Sequence, residues 1–359
     1  MQAYLVLEDG SVFPGKKISS FKETVFELVI NTSMTGYLEI LSDPTYSGLG
    51  VLMTYPMVGN YGVNPGDFES RRPCPGALII NEICSTPSNF RSKQPLEAIL
   101  LEFDIPCIGN IDTRAVVKKI RGKSLVRAIL TDDISDLESI AEKLAAYESR
   151  LPKTFYEKTQ PQTFGQENLG PDVAVFDCGI KNSQIKALVD RDCRVTVYPT
   201  LTPAQTLAAG GHQGLMIGGG PELLLEDEGL MKEISALLAL NLPTFAVGVG
   251  QLLTAKALGG GIEKIKMGHR GSNYPVRFLE KDRTYVTSQN HALTPVPGKL
   301  PVGARVLCEN INDKSVEGLV YSDRPLFSVQ FYPDVKKGKH TTAFLFDRFI
   351  EMVKGGASS

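Results

Sequence analysis

The segment Pro243–Leu253, PTFAVGVGQLL, has the layout that presents a nucleophile: an apolar strand, a sharp Gly-flanked turn, then a helix. In such an elbow the apex side chain attacks an acyl carbon while a neighbouring base takes and returns its proton. The apex here is Gly248, which has no side chain to attack anything. Other reactive residues are few. Cys74, Cys84, Cys107, Cys178, Cys193 and Cys308 are scattered and form no CxxC pair. In a long chain without a secretion signal they are expected to be reduced thiols. His212, His269, His291 and His340 fall at no metal-ligand spacing with one another or with a cysteine, so neither a zinc site nor any cofactor is expected. The run Gly218–Gly220 could suggest a phosphate loop, but the accompanying Lys and Ser/Thr are absent and a tight turn is the simpler reading.

The elements that must position this elbow form an alternating series. Val173–Asp177, Arg194–Tyr198, Gly214–Ile217 and Thr244–Val247 read as strands. Between and after them, Ser183–Asp190, Pro203–Ala209, Leu230–Leu240 and Gln251–Leu258 read as helices. Such alternation implies a mostly parallel sheet covered by helices, with its sites beyond the carboxyl ends of the strands. Strand-rich sequence follows from Tyr274 to Phe331, and an amphipathic helix runs from Thr341 to Lys354. The first 150 residues differ, mixing strands at Ala3–Leu7, Thr24–Ile30, Val51–Thr54 and Ala77–Ile80 with helices at Pro95–Phe103, Thr113–Ile120 and Ile134–Tyr147. Polar sequence with prolines at 152, 161 and 171 separates the two patterns. Three regions are expected: a domain over 1–150, a linker over 151–171, and a second domain over 172–359.

Composition sets the class. With 42% hydrophobic and 22% charged residues, a chain of 359 residues can bury two real cores. A net charge of −2, without long runs of either sign, gives no reason to expect nucleic acid or an anionic membrane as partner. The start, MQAYLVLEDG, lacks the basic region and long apolar core of a signal peptide, and no stretch reaches membrane-span length. A cytoplasmic location is expected.

Taken in order, the motifs resemble the small, glutamine-hydrolysing subunit of carbamoyl phosphate synthetase. In the first domain these are Leu7-Glu8-Asp9-Gly10, NTSMTGYLEIL from Asn31, TYPMVGNYG from Thr54, SNFR from Ser88, and Asp112-Thr113-Arg114. In the second they are FDCGIKN from Phe176, TSQNH from Thr287, Asn312-Asp313, Glu317-Gly318, and FSVQFYPD from Phe327. The resemblance implies an N-terminal mixed β/α small-subunit domain and a C-terminal open α/β sheet like that of class I glutamine amidotransferases. In that family an elbow Cys attacks the glutamine amide, a His is the base, and a Glu two residues later holds the His. Released ammonia passes to a large subunit that makes carbamoyl phosphate from bicarbonate and ATP. The partner implied is therefore a large synthetase subunit, with a higher hetero-oligomer as an option and pyrimidine or arginine synthesis as the pathways served.

The chain departs from the family pattern at its chemistry. The Cys position holds Gly248; the following His-Gln pair is Gln251 and Leu252; the base position holds Tyr332 and the Glu position Asp334. A phenol with a pKa of about 10 is a poor base near neutrality. The glutamine-pocket pattern SNGPGDP reads Gly218-Gly219-Gly220-Pro221-Glu222-Leu223-Leu224, so Glu222 replaces a Gly whose backbone approaches ligand. After Asn290 and His291 the usual Gly-Phe is Ala292-Leu293, while Ser47 and Gly220 still match glutamine-contacting positions. The Val249 N–H retains the oxyanion position. What remains is a vestigial pocket of Ser47, Gly220, Glu222, Val249, Leu252, Asn290, Ala292 and Leu293. The resemblance thus implies a pseudo-glutaminase, akin to the ammonia-dependent branch of the family, whose glutaminase-like domain persists as a structural and regulatory element.

Three alternatives stay open on sequence alone. Glu222, Tyr332 and Asp334 could make the rebuilt pocket a sensor of cationic or amine-bearing small molecules. Cys178 or His291 could carry new hydrolase or transferase chemistry, although both belong to ordinary family motifs and suit packing and structural hydrogen bonding. Lys118, Lys119, Arg121 and Lys123 form a basic patch, by default a solvated helix face and otherwise a contact for the large subunit.

Overall fold

A computed structural model describes residues 1–157, 160–338 and 340–355. It divides into two compact units: Met1–Pro152 together with Lys266–Arg270, and Lys153–Ile265 together with Gly271–Ser359. Lys158 and Thr159, in the segment expected to link the domains, lie outside the described residues.

The first unit is built on short strands: β1 (Gln2–Leu7), β2 (Val12–Lys17), β3 (Thr24–Asn31), β4 (Gly50–Met53), β5 (Met57–Val58), β6 (Ala77–Ile79), β7 (Glu82–Ile83), β8 (Cys107–Gly109) and β9 (Val126–Thr131). Its helices are α1 (Tyr37–Leu41), α2 (Leu96–Glu102), α3 (Thr113–Ile120) and α4 (Leu137–Ala146). Seven of the strands close into a barrel in the order β1-β2-β8-β6-β4-β3-β9, and β5 pairs with β7 separately. Period-two alternation decides which side each residue faces. Ala3, Leu5 and Leu7 of β1 join Phe26, Leu28, Leu52, Ile79 and Leu130 in one core, while Val6 and Ile129 turn outward to Ile140 and Leu144 of α4. Helix α3 is held at its start by Asp112, whose carboxylate accepts the Ala115 N–H at 2.9 Å.

The second unit carries β10 (Gln162–Phe164), β11 (Asp172–Asp177), β12 (Arg194–Pro199), β13 (Gly214–Ile217), β14 (Thr244–Val247), β15 (Ile262–Phe278), β16 (Arg283–Pro295), β17 (Ala304–Asn310), β18 (Val316–Tyr321) and β19 (Leu326–Val329). Its helices are α5 (Asn182–Val189), α6 (Ala204–Ala209), α7 (Glu228–Ala239), α8 (Val249–Ala257) and α9 (Phe344–Val353). One sheet runs β10-β12-β11-β13-β14-β19-β18-β17-β15-β16. The steps β12-β11, β11-β13, β13-β14 and β14-β19 are parallel, and the steps from β19 to β15 through β18 and β17 are antiparallel. Val173, Val175, Val195, Met216, Phe245 and Val329 face a core closed by α5 and α9, where Phe245 stacks on Phe327 at 4.5 Å. Within the segment read as a linker, Gln162–Phe164 lies antiparallel against β12 and so extends the sheet.

Candidate functional site

Four parallel neighbours, β11, β13, β14 and β19, deliver their carboxyl ends side by side. These ends lead into Cys178-Gly179, Gly218–Gly220, Gly248 and Gln330–Tyr332 respectively. Helix α8 can lie close behind them because residue 250 is Gly: a Cβ there would sit 2.6 Å from the Ile217 carbonyl oxygen.

Gly248 is the N-cap of α8, with φ 60° and ψ −124°. That backbone is strained for any residue with a Cβ, as at nucleophile elbows generally. Its N–H donates to the Val329 carbonyl at 2.9 Å, which fixes the apex over the end of β19. A Cβ added to Gly248 would point at the Gly219 Cα, 3.3 Å away, and one on Gly219 would touch Tyr332 Cε1 at 3.5 Å. The Tyr332 ring thus borders the apex, and the Lys181 ammonium lies over it, 3.6 Å from the centroid. Sequence reasoning gave Lys181 no role; its only signal was membership of the FDCGIKN motif.

Residues on α8 behave as packing. Val249 and Leu252 are buried. The Gln251 side chain, also buried, accepts from Ser328 Oγ at 2.9 Å and donates to Gln330 Oε1 at 3.1 Å, tying the helix to β19 and its continuation. Asp334 is exposed and bonded to Thr342: its Oδ2 accepts from the Thr342 N–H and Thr342 Oγ1, each at 2.9 Å, and its own N–H donates to Thr342 Oγ1 at 2.8 Å. This reciprocal pair staples the chain just before α9.

Glu222 lies at the start of a 3₁₀ turn, Glu222–Glu226, after Pro221. Its Oε1 accepts the N–H of Ala292 at 2.8 Å and of Leu293 at 2.7 Å. Two consecutive amides aimed at one oxygen make a small anion-binding nest, and here the chain's own carboxylate fills it. Replacing Glu222 by Ala leaves two donors without their charged acceptor, and the expected loss of stability is about 1–3 kcal/mol. Glu222→Gln, which keeps an acceptor oxygen, is expected to lose less. Denaturant unfolding of both variants checks this, and a Glu222→Ala variant as stable as the parent removes the bond's significance.

Gly220 is required sterically, since a Cβ there would run into the Cys178 carbonyl oxygen. Asn290 is buried beside His291. His291 is locked: Nδ1 contacts the Leu293 carbonyl at 2.9 Å and Nε2 contacts Gln289 Oε1 at 3.0 Å, with the buried Glu317 carboxylate 3.6 Å from Nε2. Ser47 belongs to the first unit, where it follows the 3₁₀ turn Pro44–Tyr46 and makes a single bridge with Pro75.

In the pocket read as amine-binding, Glu222, Tyr332 and Asp334 each have a partner within the chain: Glu222 Oε1 holds two amides, Asp334 Oδ2 holds Thr342, and the Tyr332 ring face holds the Lys181 ammonium. One expectation is corrected by this geometry. Cys178 as a substitute nucleophile fails: it is fully buried, and burial pushes its thiol well above the ordinary value, so no thiolate is available near neutrality.

An open sheet with parallel strands ending at a Gly-flanked elbow defines a domain of the class I glutamine amidotransferase type. The family model "Glutamine amidotransferase class-I" matches residues 174–352, and "Carbamoyl-phosphate synthase small chain, CPSase domain" matches residues 5–130. The chain belongs to the carbamoyl phosphate synthase small chain family. It is 37% identical over 351 residues to the small chain of Fusobacterium nucleatum, covering 97% of each. It is 38% identical to the pyrimidine-specific small chain of Halalkalibacterium halodurans, covering 99% of this chain and 98% of the relative. The Archaeoglobus fulgidus small chain is 36% identical, with 99% of each covered.

Proposed function

We propose that this chain is a non-hydrolytic small subunit that docks on a large synthetase subunit and supports or regulates its use of free ammonia. The observation that carries the reading is Gly248 in the strained apex conformation, bordered by a phenol instead of an imidazole. Loss of a nucleophile and base that act as a unit costs about a million-fold in turnover. The Val249 N–H at the start of α8 keeps an oxyanion donor in place, but with no tetrahedral intermediate forming there is nothing for it to stabilise. Glu222 supports the same reading from the binding side, because its carboxylate occupies the amides of Ala292 and Leu293, two members of the vestigial pocket. A ligand carboxylate would have to displace it.

The complex purified from the native host provides the test. Carbamoyl phosphate formation is expected with ammonium and at background level with glutamine. Equal rates from the two nitrogen sources would overturn the proposal, and the chain would then be a glutamine-hydrolysing small subunit after all. Among the described residues no helix is long and apolar enough to cross a membrane.

A further inference from the structure

Helix α3 carries the basic run noticed in the sequence, and the structure splits that run into two kinds of charge. Lys119 pairs with Asp9 at 3.1 Å, and Lys123 beyond the helix pairs with Glu8 at 3.3 Å. Arg114 and Lys118 fall at i and i+4 on one helical face, Arg121 follows at the helix's C-cap, and among the described residues their side chains have no ion-pair or hydrogen-bond partner. Like charges four apart disfavour a helix, and Arg114 sits in the first turn, where a cation opposes the helix dipole.

These three cations line one concavity of about 360 Å³ together with Thr54, Thr113 and Val117. Thr113 is only 5% exposed, and its hydroxyl has no hydrogen-bond partner among the described residues. An unmatched hydroxyl on a residue so little exposed, lining a cavity rimmed by three unmatched cations, suits an anion.

We propose that this cavity in the first unit binds a phosphorylated small molecule. Two guanidinium groups match the planar, bidentate geometry of phosphate oxygens, and Lys118 adds a point charge between them. The Thr113 and Thr54 hydroxyls supply short-range donors, and the Val117 side chain gives an apolar surface for the rest of the ligand. The volume is at the lower end of small-ligand pockets, which range over roughly 300–1,000 Å³. A concave site of this size takes a compact phosphate ester or diphosphate. This proposal is independent of whether the elbow hydrolyses glutamine.

Isothermal calorimetry and thermal melting of the full chain with inorganic pyrophosphate, inorganic phosphate and citrate test it. Saturable pyrophosphate binding that weakens steeply with salt is expected, with a raised melting temperature. The variant Arg114→Ala/Lys118→Ala is expected to bind about tenfold or more weakly, and Thr113→Val also to lose affinity. Lys119→Ala, whose charge is already neutralised by Asp9, is expected to bind as the parent does. The alanine sites are exposed, so both variants are expected to fold, and an unchanged circular dichroism melt checks it. Three results overturn the proposal: no binding of either phosphate at millimolar concentration, equal pyrophosphate affinity in the double variant, or citrate bound as tightly as pyrophosphate. Failure to bind phosphates combined with loss of large-chain co-purification in the double variant would reassign the surface to an acidic protein partner.

Discussion

Installing cysteine at the elbow, Gly248→Cys, is expected to give no glutamine hydrolysis above background. A thiol there has no imidazole to deprotonate it, and a neutral thiol is a weak nucleophile. The neighbouring ring is the Tyr332 phenol under the Lys181 ammonium, a cation that stabilises whatever electron-rich face it meets but takes no proton. Adding Tyr332→His supplies the base, and Asp334→Glu restores the family's holder for it, at the cost of the staple to Thr342. Even then the amides of Ala292 and Leu293 remain occupied until Glu222→Gly vacates them. Hydrolysis is therefore expected only in the quadruple variant, rising by about a thousandfold or more over Gly248→Cys alone, a fraction of what an intact unit provides. Glutamate release from labelled glutamine reads this directly. Comparable rates in the single and quadruple variants would mean that neither the base nor the buried carboxylate limits the site.

The second large effect is on folding. Gly220→Ala is expected to destabilise the second unit by about 3 kcal/mol or more, because its Cβ would overlap a backbone carbonyl that cannot rotate away. Gly248→Ala is the informative contrast. Its Cβ meets the Gly219 Cα at 3.3 Å, a close but negotiable approach, so the expected cost is the backbone strain alone, about 1–3 kcal/mol. Chemical denaturation of the full chain, followed through the sheet-bearing unit, separates the two. An equal or smaller loss at Gly220 would show that the turn after β13 yields more easily than its packing implies.

Much of the second unit was legible because its signals are local. Gly214–Ile217 and Thr244–Val247 are continuous apolar runs bounded by Gly, Pro and polar residues, and their observed limits equal those read from sequence. The helix Thr113–Ile120 is equally plain from its apolar spacing, with the limits that the structure shows. The barrel was not legible. Strand β2, VFPGKK, contains Pro and Gly and shows no alternation, yet forms by pairing back on β1, while β8 is three residues long and exists through pairing with β2 and β6, which are distant in sequence. Strand β9, VRAILT, lacks polar–apolar alternation because its outward Ile129 packs against α4, and it closes the barrel against β1 and β3.

The site divides the same way. The order of two motifs foreshadows the nearness of Gly248 and Tyr332, and Tyr332 does border the Gly248 apex through Gly219. What Glu222 does could not be read, since the N–H groups that donate to it lie 70 and 71 residues away in sequence. The bond of Asp334 to Thr342 is hidden in the sequence for a related reason. An acid eight residues before Thr342 announces no local motif, and only the approach to α9 brings the two together.

The three-residue strand β10 has a consequence for the behaviour of the protein in concentrated solution. It covers the outer flank of β12, whose Val195 and Val197 belong to the core and whose backbone would otherwise stand open. Short, bounded by Pro161 and by Gly165, and itself largely polar, it is a poor template for further pairing. A chain trimmed or cleaved within this segment would keep its folded domains yet acquire a bare sheet margin, and its failure would be seen as polymerisation and precipitation.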